Sequence, residues 1–175
     1  MNQPLPTLGA IEQCAAARGL LLRLQVRELL GLRTLRVVVA QPRSGEMPVL
    51  LGELKGWALP IRAGLQLDTL RVAPGAPAGV GALIWAATLC WALEETPCRR
   101  ARFLAIRDDD HQHRRLVRYF RRLGFRGCRE VGASPLDLVL RLIWGGSGLL
   151  MAGDCAEALA VSLRQLAVLP GPDLR

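Results

Sequence analysis

The chain has 175 residues, enough for one domain with a real core, and its hydrophobic fraction of 51% excludes a disordered polymer. The formal net charge is +8, carried almost wholly by arginine, since Lys55 is the only lysine. That balance favours an anionic partner (a nucleic acid, an acidic membrane or a phosphorylated small molecule), while base composition and solubility account for it equally well.

In chain order, an alanine-rich helix is expected over residues 7–18, with Gly19 as its stop. Residues 20–33 are ambiguous between helix and strand. The β-branched segment 34–42 reads as a strand, 43–47 as a turn, 48–59 as a second strand, and the alternating 65–72 as a third. Connections this short do not allow crossovers, so the three form an antiparallel meander. A proline- and glycine-rich loop, 73-APGAPA-78, leads into a helix over 79–95 that is apolar all round, hence buried on several sides, and ends at Pro97. A strand over 101–107 follows, and 108-DDD-110 caps a helix over 110–123. That helix has Leu116, Val117, Phe120 and Leu123 on one face and its arginines largely elsewhere. Gly124 stops it before a strand over 125–131. The leucines of 136–143 alternate as in a strand, with a helix as the alternative. Asp154 and Glu157 form a capping pair for a last helix carrying Leu159, Leu163 and Leu166. The helix between 65–72 and 101–107 is a crossover, which makes that strand pair parallel.

The whole, 1–175, reads as a single domain. Its core is about 34–131, its N-terminal helix about 7–18, and its C-terminal strand/helix extension about 132–175. The extension either covers a sheet edge or forms a homodimer contact. The apolar run from Gly79 to Leu93 is shorter than the roughly 20 residues a bilayer needs, so no membrane partner is expected. The five cysteines include no C-x-x-C pair, and the N-terminus shows no signal-peptide pattern. Free thiols in a reducing, cytoplasmic setting follow. His111 and His113, the only histidines, make a poor zinc pair, so no metal is expected.

A strand feeding a glycine loop and a helix N-terminus is a ready anion site, because the first helical amides lack internal partners. Gly79 and Gly81 remove side chains where a phosphate approaches. A tight turn with close helix–sheet packing explains the same glycines. Three motifs in order, L-x-V ending a strand, Gly-x-Gly opening a helix, and R-x-L-G-F ending the next helix, resemble the GNAT superfamily of acyl-CoA-dependent N-acyltransferases over roughly 34–131. The resemblance implies an α/β fold: a mixed, mostly antiparallel, splayed sheet with helices on both faces. It implies acetyl-CoA as co-substrate. The pantetheine arm would lie along Leu70, Arg71 and Val72, the pyrophosphate on the amides around Gly79, Val80, Gly81 and Ala82, with Phe120 also at the cofactor.

The pattern is not fully kept. Ala76 stands where the family usually has arginine or glutamine, and Pro77 has no N–H to offer. Phe120 stands where many relatives carry an acid tyrosine. Tyr119 is adjacent but turned by about 100°, and it is either a displaced acid or a packing tyrosine. Asp68 is either the base or the partner of a neighbouring arginine. His113 is either a proton carrier or an exposed side chain in a polar turn. Cys90 and Cys98 lack an obvious activating base nearby and read as inert.

Three functions stay open. The first is an acetyl-CoA-dependent N-acetyltransferase acting on an amine of a small molecule or protein. The second is a catalytically degenerate GNAT-fold module that binds CoA or a protein. The third and weakest is a nucleic-acid binder, disfavoured because no aromatic residues interleave the arginines.

Overall fold

The computed structural model describes residues 5–106, 110–132, 134–144 and 146–169. The first residues of the N-terminus and most of the cap expected at 108–110 lie outside them. Helix α1, Leu8–Ala16, starts where the Thr7 hydroxyl accepts the Ala10 N–H at 3.3 Å, and it buries Ile11 and Ala15. The ambiguous segment after it is a strand, β1 (Leu21–Leu29). A two-residue turn, Leu30-Gly31, joins it to β2 (Leu32–Arg43). Both turn residues have positive φ, 51° and 81°, as a hairpin turn matched to strand twist requires.

The meander continues through β3 (Glu46–Ala58) and β4 (Leu65–Val72). Helix α2 (Val80–Glu95) then crosses to β5 (Arg100–Ile106). Next come α3 (Asp110–Arg122) and β6 (Arg126–Val131). These elements follow the sequence expectation closely.

The tail does not. The alternating leucines form a 3-10 turn at Pro135–Asp137 and a short helix α4 (Leu138–Trp144), not a strand. The Asp137 carboxylate accepts the Gly132 N–H at 2.9 Å and pairs with Arg129, folding the chain back on β6. These Asp137 contacts favour the turn and helix over an extended segment, and the strand that pairs with β6 is a later one, β7 (Gly148–Asp154). Nor does the tail merely cover an edge, because β7 is inserted between β5 and β6. The glycines of β7 are packing positions. A Cβ at Gly148 would stand 2.2 Å from the Ala105 carbonyl oxygen, and one at Gly153 2.9 Å from the Phe125 ring. Asp154 caps the last helix, α5 (Cys155–Val168), by accepting the N–H groups of Ala156 and Glu157.

The seven strands run β1-β2-β3-β4-β5-β7-β6. Every pair is antiparallel except β4 with β5, so the sheet is mixed and mostly antiparallel, consistent with a GNAT fold. Helix α2 fills the centre of the core, with Leu83, Ile84, Trp85 and Leu89 no more than 1% exposed. Its neutral, unpatterned face suits a helix enclosed by β2 and β3 on one side and by α1 and α5 on the others. Helix cover is uneven: over β1–β4, the strand face opposite α2 carries mainly exposed polar side chains.

Candidate active site

The parallel pair is short. Strands β4 and β5 are in register only at Leu65/Ala101, Gln66/Arg102 and Leu67/Phe103, and then they part. At the parting point β4 also bulges. Gly56 pairs with Leu67 and Lys55 with Thr69, which leaves Asp68 as the extra residue. The bulge re-aims an exposed carboxylate at the place where the sheet opens. A cavity of about 290 Å³ fills the opening. Leu54, Leu67, Trp85 and Phe103 line it from the helix-covered side, and Thr69 and Arg71 from the other. Leu70 and Phe120 complete it, Phe120 packing on Phe103 with ring centroids 3.7 Å apart and planes tilted by 44°.

The loop after β4 is two tight turns in succession. Ala76 N–H donates to Ala73 O at 3.1 Å across Pro74-Gly75, and Val80 N–H donates to Pro77 O at 3.4 Å across Ala78-Gly79. Gly75 and Gly79 have φ of 76° and 94°, so the turns themselves demand glycine there. Gly79 is constrained twice, because a Cβ on it would stand 2.6 Å from Leu169 Cδ1 of the segment after α5.

Gly81 is different. It lies inside α2, where glycine is costly, and a Cβ there would meet only ordinary contacts, Tyr119 Oη at 3.5 Å and Val72 Cγ2 at 3.9 Å. Folding therefore does not explain this glycine. The amides of Gly81 and Ala82 have no acceptor among the described residues. They face a cleft of about 590 Å³ shared with Tyr119, Arg164 and Gln165.

The expected site residues thus divide into groups. Asp68, Leu70, Arg71 and Phe120 meet in the cavity between the strands, and Gly79, Gly81, Ala82 and Tyr119 meet in the cleft at the head of α2. Val72 lines neither, and its Cγ2 is 3.9 Å from where a Cβ on Gly81 would stand. Val80 points its side chain into the core, 1% exposed, and spends its amide on Pro77. The Tyr119 hydroxyl accepts a hydrogen bond from Trp85 Nε1 at 3.0 Å, and burial raises its pKa, so it stays protonated at neutral pH. Through that bond it positions Trp85, a wall of the cavity.

His113 joins neither group. It is buried, not exposed, with Nδ1 3.2 Å from the Ile106 carbonyl, and it lines a separate cleft with Val117, Arg121 and Leu149. Burial, then the charge of Glu94 and a hydrogen bond to it, push the Cys90 thiol up to about 12, so it is no nucleophile. Among the described residues no three His, Cys, Asp or Glu side chains gather in a metal-binding group.

Sequence reading missed Arg164 and Gln165, which reach the cleft from α5. Their only signal was the leucine periodicity of that helix. It locates α5 without saying what α5 packs against.

No family model matches the chain, and no curated protein matches it. Among solved structures it is similar to a nourseothricin acetyltransferase, with 17% identity, a TM-score of 0.44, and coverage of 88% of this chain and 95% of that one. It is also similar to a GCN5-related N-acetyltransferase from Brucella melitensis, with 14% identity and a TM-score of 0.48. That match covers 76% of this chain and 56% of the other, so this chain spans little more than half of that neighbour. Likeness at this level carries no argument by itself. The weight falls on the strand order, the parted β4–β5 pair and the bulge described above.

Proposed function

We propose that this chain is an acyl-CoA-dependent N-acetyltransferase. The observation that carries the reading is the parting of β4 from β5 after Leu67 and Phe103, which opens a cavity beside the bulged Asp68. The cavity lies next to free amides at a glycine the fold does not require. An extended arm hydrogen-bonds to a strand edge that has lost its neighbour, as β4 has beyond Leu67. A diphosphate suits the free amides of Gly81 and Ala82, with the α2 dipole behind them and Arg164 beside them. The fit is displaced from the start of the loop, where Pro77 donates nothing and Gly79 lies under Leu166 and Leu169.

Acyl-CoA supplies the activated acyl group; the rest falls to the chain. Asp68, directly or through a water, takes the proton that an ammonium acceptor must lose. Phe120, Phe103 and Trp85 exclude water from the cavity. An alkyl thiolate is a far weaker base than an alkoxide, so it departs without a strong acid, and the phenylalanine at position 120 is tolerable. Tyr119 serves by holding Trp85 and by offering its hydroxyl to the cleft. His113 has no part. The free state of all five cysteines accords with a reducing, cytoplasmic setting.

The test is thiol release from acetyl-CoA in the presence of amine acceptors. Release above the uncatalysed rate is expected, with Asp68→Asn lowering kcat/KM roughly a hundredfold. A rate indifferent to that substitution removes Asp68 from the chemistry.

A second reading has its own observation. Leu166 and Leu169 seated on Gly79 narrow the loop from which a phosphate would be held, which suits a module that keeps the fold without catalysis. Thiol release with no enzyme-dependent component would favour it.

A further inference from the structure

The acetyltransferase reading leaves the acceptor unnamed, and the uncovered face of the sheet bears on it. Cross-strand register puts Arg27 and Arg102 in one row of that face, Arg36 and Lys55 in the next, and Arg23 and Arg71 in a third. All six are exposed. Glu53 is the only carboxylate in these rows. It is already engaged, 2.5 Å from Arg36 and 3.5 Å from Lys55. Burial pushes its carboxyl up, but the hydrogen bond and charge of Arg36, with those of Lys55, outweigh this and hold it below the usual range. The guanidinium groups of Arg27, Arg71 and Arg102 have no partner among the described residues.

A flat face of one sign repels itself until an opposite charge covers it. Five strands, β1 to β5, spaced about 4.8 Å apart, spread these cations over roughly 19 Å. A small anion meets one or two of them, whereas an extended polyanion meets all three rows. The cavity beside Asp68 opens onto the same face at Thr69 and Arg71, so whatever lies there can present a group to it. Trp57 is the sole aromatic side chain in these rows and is only half-exposed. One ring is no platform for successive bases, which favours a polypeptide over a nucleic acid.

We propose that the acceptor is an acidic polypeptide segment that lies across the open face of β1–β5 and presents a lysine or N-terminal amine at Asp68. The proposal rests on the acetyltransferase reading. Polycationic amines are poor acceptors on the same account.

The experiment uses the full chain and three fluorescent probes: a peptide with one central lysine flanked by glutamates, the same peptide with glutamines, and a single-stranded oligodeoxynucleotide matched in charge to the first. Fluorescence anisotropy without acetyl-CoA reads docking, mass spectrometry with acetyl-CoA reads transfer, and calorimetry with acetyl-CoA alone reads the donor site. The glutamate peptide is expected to bind and to be acetylated at least roughly tenfold better than the glutamine peptide. The double variant Arg27→Glu, Arg102→Glu should erase that preference while binding acetyl-CoA like the wild type, which also shows that it folds. Equal binding of the two peptides overturns the proposal but leaves the acetyltransferase standing. So does a preference that survives the double variant, or tighter binding of the oligodeoxynucleotide. Failure of the wild type to bind acetyl-CoA removes the acetyltransferase, and the acceptor role with it.

Discussion

Gly79 and Gly81 stand one residue apart and are held by different forces. At Gly79 the backbone has φ of 94° and a Cβ would stand 2.6 Å from Leu169, so the fold alone demands glycine. At Gly81 the backbone is helical, the nearest atom to a Cβ is 3.5 Å away, and glycine weakens the helix. The prediction is a contrast. Gly79→Ala should destabilise the protein by about 1–3 kcal/mol through strain and collision. Gly81→Ala should stabilise it by about 0.5–1 kcal/mol, while weakening acetyl-CoA binding roughly tenfold as the methyl group narrows the cleft. Denaturant unfolding and calorimetry on the two variants check both signs. Had Gly81→Ala lost stability, the glycine would be a folding requirement and would say nothing of a ligand. Sequence pattern alone showed two glycines at a helix start. It could not separate them, because the difference is a dihedral angle at one and an empty volume at the other.

At the scale of elements, those with local causes were readable and those with distant causes were not. The meander, α2, β5, α3 and β6 follow from short connections, β-branched runs, proline stops and apolar periodicity. The ambiguity of 20–33 was settled by Leu30-Gly31, a turn that carries a leucine at φ 51° with 99% of its surface exposed. Leucine has no side-chain hydrogen bond to offset that conformation, and asparagine adopts it readily. Leu30→Asn should therefore raise stability by about 1 kcal/mol without touching either cleft, visible as a higher Tm. An unchanged or lower Tm would mean that Leu30 has a partner it does not show. The error at 136–143 came from a pattern that fits two structures, decided by Asp137, whose bonds to Gly132 and Arg129 fold the chain back. The inserted strand β7 was missed because its close contacts at Gly148 and Gly153 select glycine, which elsewhere signals a loop. Helix α5 was foreseen, but not its position. Arg18 Nη2 donates to Leu166 O at 2.6 Å, fixing the end of α5 over the glycine loop, a contact no local pattern records.

Taken whole, the molecule joins a helix-packed sheet face to a bare basic one, with an opening between β4 and β5 that reaches both. The charge of +8 was evident from composition, but its location was not. It required the strand register to show that Arg27, Arg36, Lys55, Arg71 and Arg102 share one face. The bulge at Asp68 was equally hidden, since simple alternation sets Asp68 on the same face as Gln66. The register instead skips Asp68 and sets Thr69, level with Lys55, on the face of Gln66. Among the described residues no helix is long and apolar enough to cross a membrane, and the apolar run of α2 is accounted for by burial on all sides.

The donor site is the part on which every functional statement above depends. Its most direct test is calorimetric titration with acetyl-CoA and with CoA, on the wild type and on Gly81→Arg, whose side chain would fill the cleft beside Tyr119. The account predicts binding of both ligands in roughly the micromolar range and its abolition in a variant that still unfolds cooperatively. Absence of binding to the wild type, or binding untouched by Gly81→Arg, would contradict the placement of the donor at the head of α2.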